Sequence, residues 1–185
     1  MSDPAAASEG QNKGRRRLDR ILRADYLDGL EGMQIDEVRR RRDECLAERE
    51  FLSYLRRLYQ GRLDILEAEL QARRSGDDRP LVDRLAEIMS SEGSSQGSPR
   101  GEAVRFELPD EEVLAARRRY ERLANDAAIS DPGSMDDAQL DEAASTLREE
   151  ERVVSDTRSR VLQAMDVLQD EIKRRYREQF TSAQG

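Results

Sequence analysis

Apolar or small side chains recur every seven residues at Val38, Cys45, Leu52, Tyr59 and Leu66. The same spacing returns 102 positions later at Leu140, Leu147, Val154, Val161 and Leu168. A sustained heptad predicts a helix that buries one seam against a partner helix. Two such helices in one chain can pair internally. The pattern therefore predicts an all-α fold: a long two-helix antiparallel coiled coil with short accessory helices and a flexible linker. Parallel pairing stays open, because the connector is long and includes a helix of its own.

The register also holds for polar positions. Glu48, Ser53, Arg56 and Asp64 return as Glu150, Ser155, Arg158 and Asp166. At roughly 100° per residue, Ser53, Arg56, Gln60 and Asp64 fall within about 80° of one another. They form one stripe just beside the seam, and antiparallel pairing would bring the two stripes together.

Around this duplicated core the chain divides into four stretches. Residues 1–14 are small and polar and read as a disordered tail. Residues 15–75 hold a short helix, with Leu18, Ile21, Leu22, Tyr26 and Leu30 at helical spacing behind Arg15-Arg16-Arg17. Gly29 and Gly32 break it before the first long helix, expected from Ile35 to Arg74. The short helix either caps the coiled coil or forms an arm that docks on a partner. Residues 76–109 carry a short helix opened by Pro80 and a Ser/Gly-rich linker. There Val104, Phe106 and Leu108 alternate with charge as in a strand or extended peptide. Residues 110–185 hold an accessory helix from Asp110 to about Ala127 and a turn over residues 129–133. A second long helix follows, with a capped start at Ser134 and Asp137.

Composition narrows the class. The chain is 36% hydrophobic, 4% aromatic and 39% charged, the balance of a long-helix protein rather than of a thick globular core. Its net charge of −8 disfavours direct DNA binding and favours a basic protein face as partner. No long apolar run predicts a signal peptide or a membrane span, so the reading is cytoplasmic with no membrane partner. One cysteine excludes an internal disulfide, and a chain without histidine is poorly suited to zinc. Cys45 sits on the seam, where a small apolar side chain packs well. No phosphate loop, metal-ligand cluster or nucleophile motif appears, and the expectation is a protein that is not an enzyme.

The stripe carries the candidate chemistry. Arginine offers a planar fork to the O6 and N7 edge of guanine, or stacks on a base. Aspartate accepts from guanine's donor edge, while serine, glutamine and glutamate can complete contacts to phosphate, ribose or base. Residues four apart are neighbours on a helix, so Arg56, Gln60 and Asp64 can meet one ligand.

The set Ser53-x2-Arg56-x3-Gln60-x3-Asp64, with a glutamate nearby and a repeat on a second helix, resembles the RsiG family. RsiG proteins are actinobacterial anti-sigma factors that bind cyclic di-GMP through paired Glu/Ser/Arg/Gln/Asp motifs. The resemblance covers the two long helices. It implies Ser53, Arg56, Gln60, Asp64, Glu151, Ser155, Arg158 and Asp166 as cyclic di-GMP contacts, with Glu48 and Glu50 as further candidates. It also implies a sigma factor of the WhiG type as partner, and a role in sporulation. Two positions depart from the pattern. Leu162 stands where the first copy has Gln60, with Gln163 beside it, and Arg49 stands where the second copy has Glu151. The competing reading is a helical adaptor or scaffold whose coiled coil binds no small molecule.

Overall fold

The computed structural model describes residues 17–77, 79, 83, 108–126 and 132–182. The expected tail, the helix at 80–89 apart from Asp83, the extended stretch ahead of Leu108 and the turn at 129–131 lie outside the described residues. Three long helices carry the fold: α1 (Ile35–Ser75), α2 (Asp110–Asp126) and α3 (Asp137–Ser182). Among the described residues there is no strand.

The described residues form two compact units, and α1 and α3 each contribute to both. Among the described residues the first unit draws on 17–54, 108–116 and 154–182, the second on 55–77, 79, 83, 117–126 and 132–153. In the first unit the seam is Val38, Cys45 and Leu52 of α1 with Val154, Val161 and Leu168 of α3, all 0–1% exposed. Burying each aliphatic side chain contributes about 1.5–3 kcal/mol. Arg42 Nη1 donates to Gln169 Oε1 at 3.3 Å, and Arg158 Nε to Ser53 Oγ at 2.8 Å. Rising numbers on α1 meet falling numbers on α3, so the helices run antiparallel here. In the second unit Tyr59 and Leu66 lie buried with Leu140 and Leu147. Arg148 reaches Glu67 at 2.8 Å and Arg74 reaches Asp141 at 3.4 Å, again antiparallel.

Each unit is closed at its end by the same device. In the first, the Arg175 guanidinium donates to the main-chain carbonyls of Leu30, Glu31 and Met33, while Glu171 holds its Nε at 2.6 Å. In the second, Arg73 donates to the carbonyls of Pro132, Gly133 and Met135, while Glu69 holds its Nε at 2.9 Å. Every one of these positions maps onto its counterpart by adding 102. The internal repeat thus extends beyond the heptads to the turns ahead of the long helices and to a Glu-x3-Arg clasp near their far ends. Each turn is a short 3-10 segment, Leu30–Gly32 and Pro132–Ser134.

The helix ends show why the chain bends where it does. Gly76 takes a positive φ of 68° after Ser75. Asp77 N–H then bonds the Ala72 carbonyl at 2.9 Å and Gly76 N–H the Arg73 carbonyl at 3.3 Å, the paired bonds of a Schellman end. The start of α3 differs from the expected Ser134/Asp137 cap. Asp136 Oδ1 accepts from Gln139 N–H, and Gln139 Oε1 accepts from Asp136 N–H, both at 2.8 Å. This reciprocal capping box begins at Asp136, because Ser134 is used up in the 3-10 turn.

Among the described residues the N-terminal segment is α-helical over 17–21 and then runs through turns, with Gly29 at φ 69°. It packs on α1 instead of extending away: Ile21 and Tyr26 are each 3% exposed. The Tyr26 hydroxyl donates to the Arg41 carbonyl at 3.0 Å. Burial, then the neighbouring Cys45, pushes the Tyr26 phenol far up.

Candidate functional site

Seen from Ser53, the seam residue Leu52 lies about 100° to one side and Glu48 about 140° to the same side. The seam therefore separates α1 into two polar flanks with different fates. One flank is covered by other parts of the chain; the other carries the stripe.

On the covered flank of the first unit, Glu48 is 1% exposed. Its carboxylate accepts from Arg17 Nε at 2.7 Å. The same guanidinium bonds both oxygens of Glu112 at the start of α2, at 2.8 and 3.2 Å. Burial pulls the Arg17 pKa down, but Glu112 and Glu48 more than reverse that, and the net shift is upward. Glu48 is thus an ion-paired tie between three chain segments, on the flank away from the stripe. On the covered flank of the second unit, the Tyr59 and Tyr120 rings lie 6.2 Å apart, and Arg119 stands 3.9 Å from Glu150. Burial pushes the phenols of both tyrosines up.

On the stripe, the first unit brings Ser53 and Arg158 together across the helix pair. Arg158 Nε donates to Ser53 Oγ at 2.8 Å, and that hydroxyl donates in turn to the Arg49 carbonyl one turn back, at 2.7 Å. This local bond is how a serine is accommodated inside a helix. Arg49 is paired with Glu50 at 2.6 Å, so Glu50 reaches its neighbour rather than the opposite helix. Ser155 is half-buried, and its carbonyl accepts from the Ser159 hydroxyl at 3.0 Å. Asp166 is exposed.

In the second unit the stripe centres on Glu151. Gln60 Nε2 donates to Glu151 Oε1 at 2.9 Å, and Arg56 Nε stands 3.5 Å from the same oxygen. The Arg56 and Glu151 side chains are 35% and 24% exposed, so water screens this pair and holds its worth to about 1 kcal/mol or less. Such bonds can be exchanged for ligand bonds at small cost. Asp64 is exposed on the same helix.

Sequence reasoning placed the stripe but not the choice of partner across the pair. Nothing in the basic run at residues 15–17 marks Arg17 as a tie, and neither Arg73, legible only as a helix-end charge, nor Arg175 stands out locally as a clasp. The signal for the two clasp arginines was present, since Glu69-x3-Arg73 and Glu171-x3-Arg175 share the 102-residue offset.

In each unit the two long helices run antiparallel and carry a polar, partly exposed stripe, the arrangement of a coiled coil. Residues 24–89 match the RsiG-like family. The matched stretch contains the whole first motif copy through Asp64. No curated protein matches the chain. No helix among the described residues is long and apolar enough to cross a membrane, and no group of His, Cys, Asp and Glu there could hold a metal ion.

Proposed function

We propose that the chain is an anti-sigma factor that binds cyclic di-GMP along the stripe and, with the ligand, holds a WhiG-type sporulation sigma factor away from RNA polymerase. The observation that carries this is the convergence of motif residues from both long helices: Ser53 with Arg158 in one unit, Arg56 and Gln60 with Glu151 in the other. A seam alone pairs helices without them. Arginines supply forks for guanine or phosphate, and the exposed Asp64 and Asp166 supply acceptors for guanine's donor edge. The RsiG-like match over the first copy supports the same reading.

A second reading is also favoured by an observation. The stripe residues already bond each other across the helices, which is all that a scaffold requires of them. The two readings separate in a titration of the full chain with cyclic di-GMP beside cyclic di-AMP, followed by capture of the sigma factor with and without nucleotide. Selective binding of cyclic di-GMP and nucleotide-dependent capture support the anti-sigma reading. No binding, with capture indifferent to nucleotide, supports the scaffold.

A further inference from the structure

The two departures from the motif, Arg49 and Leu162, sit on different helices and look unrelated in the sequence. The structure relates them. Gln60 and Glu151 are a bonded pair across α1 and α3, at 2.9 Å. Shifting each by 102 positions converts Gln60 to Leu162 and Glu151 to Arg49. Both departures therefore fall on one pair of equivalent positions: one unit keeps the glutamine–glutamate pair, and the other has exchanged it for leucine and arginine.

The exchange changes the chemistry of the stripe. Glu151 is an acceptor and can receive two donors from a guanine edge; Gln60 offers both a donor and an acceptor. Arg49 has donors alone, and Leu162 has neither. The second unit sets Arg56 3.5 Å from Glu151, with Asp64 exposed about two turns further along α1. The first carries two arginines, Arg158 bonded to Ser53 and Arg49 paired with Glu50, with Asp166 exposed about two turns beyond Arg158. An anionic group gains from the first arrangement, and a base with a donor edge gains from the second.

We infer that the two motif copies form non-equivalent half-sites, one around Arg49 and Arg158 that is weighted toward anchoring phosphate, and one around Gln60 and Glu151 that supplies the larger share of the selection for guanine. This rests on the cyclic di-GMP reading and divides that ligand's recognition into two tasks. The phosphate-anchoring half is salt-sensitive, since its charges are screened by added ions. The base-selecting half depends on hydrogen-bond pattern and responds less to salt.

The test exchanges the pairs in the full chain. In Gln60→Leu/Glu151→Arg the second unit acquires the first unit's pair, and in Arg49→Glu/Leu162→Gln the reverse occurs. Calorimetric titrations with cyclic di-GMP and cyclic di-AMP at low and high salt are read beside circular dichroism. The first variant is expected to lose about tenfold or more of its preference for guanine while binding both nucleotides with a steeper salt dependence. The second is expected to gain preference and to show a flatter salt dependence. Should either double variant lose helicity, Gln60→Leu and Arg49→Gln carry the same comparison. Unchanged preference and salt slope in folded variants that still bind cyclic di-GMP would overturn the division of labour and leave the ligand reading standing. A parent chain that binds neither nucleotide would overturn both.

Discussion

Glu48 and Glu150 occupy equivalent places in the repeat, yet the two units treat them differently. In the first unit Glu48 is almost sealed from water and held by Arg17 at 2.7 Å. In the second, Glu150 is 36% exposed in its side chain and lies 3.9 Å from Arg119. The same residue type at the same heptad position becomes a buried tie in one case and a surface charge in the other. The helix pair does not decide this. What packs on the covered flank decides it: the N-terminal segment with the start of α2 in one unit, the Tyr120 part of α2 in the other.

The largest effects should come from the seam, where the units are alike. Leu52→Ala in the first unit and Leu66→Ala in the second should each cost about 2–5 kcal/mol, read by chemical denaturation followed by circular dichroism. A loss in only one of them would show that the heptad supports one unit alone.

The flank should then separate the units. Arg17→Ala leaves Glu48 facing a poorly solvated surround and should cost about 3 kcal/mol, the low end for breaking a buried pair because Arg17 itself is partly wet. Arg119→Ala, at the exposed counterpart, should cost about 1 kcal/mol or less. Equal losses in the same denaturation experiment would contradict the contrast in burial.

The clasp of the first unit also responds to pH. Arg174 and Arg175 hold the Glu171 carboxyl down to about 2. A depressed carboxyl contributes stability that is fully present above its unfolded pKa and is lost as pH falls toward the folded one. The clasp of Arg175 should accordingly weaken between its usual value of 4.5 and about 2. Proton-detected titration of Glu171 in the parent and in Arg175→Ala checks this, with the carboxyl expected to titrate higher in the variant.

The smallest effect belongs to a helix end. Gly76→Ala places a side chain on a left-handed residue and should cost about 1–2 kcal/mol or somewhat less if the turn relaxes, measured by thermal melting. The same substitution at Gly61, inside α1 with open space around it, should instead stabilise by about 0.5–1 kcal/mol.

Much of this was legible in the chain. The heptads of Val38–Leu66 and Leu140–Leu168 specified which faces are buried, because a seam repeated every seven residues has one solution in a helix pair. The bounds of α1 followed from acidic residues at its start, arginines at its end and Gly76 just beyond. The cap of α3 was misplaced by two residues because Ser134, a good capping residue in isolation, belongs to a 3-10 turn anchored by Arg73. Local preference was outweighed there by a contact about 60 residues away in sequence. The burial of Glu48 was illegible for the same reason. Nothing near it announces that Arg17, 31 positions earlier, will return to meet it.

Arg73 and Arg175 bind main-chain carbonyls, so they recognise the path of the chain and are indifferent to the side chains along it. The two turns they hold read Leu-Glu-Gly and Pro-Gly-Ser, with no identity between them, although both are grasped at equivalent carbonyls. Mutational drift at residues 30–32 and 132–134 is therefore cheap so long as the backbone keeps its curve, whereas each arginine has little room to change. In a saturation screen the clasp arginines should stand out as intolerant points facing two permissive turns.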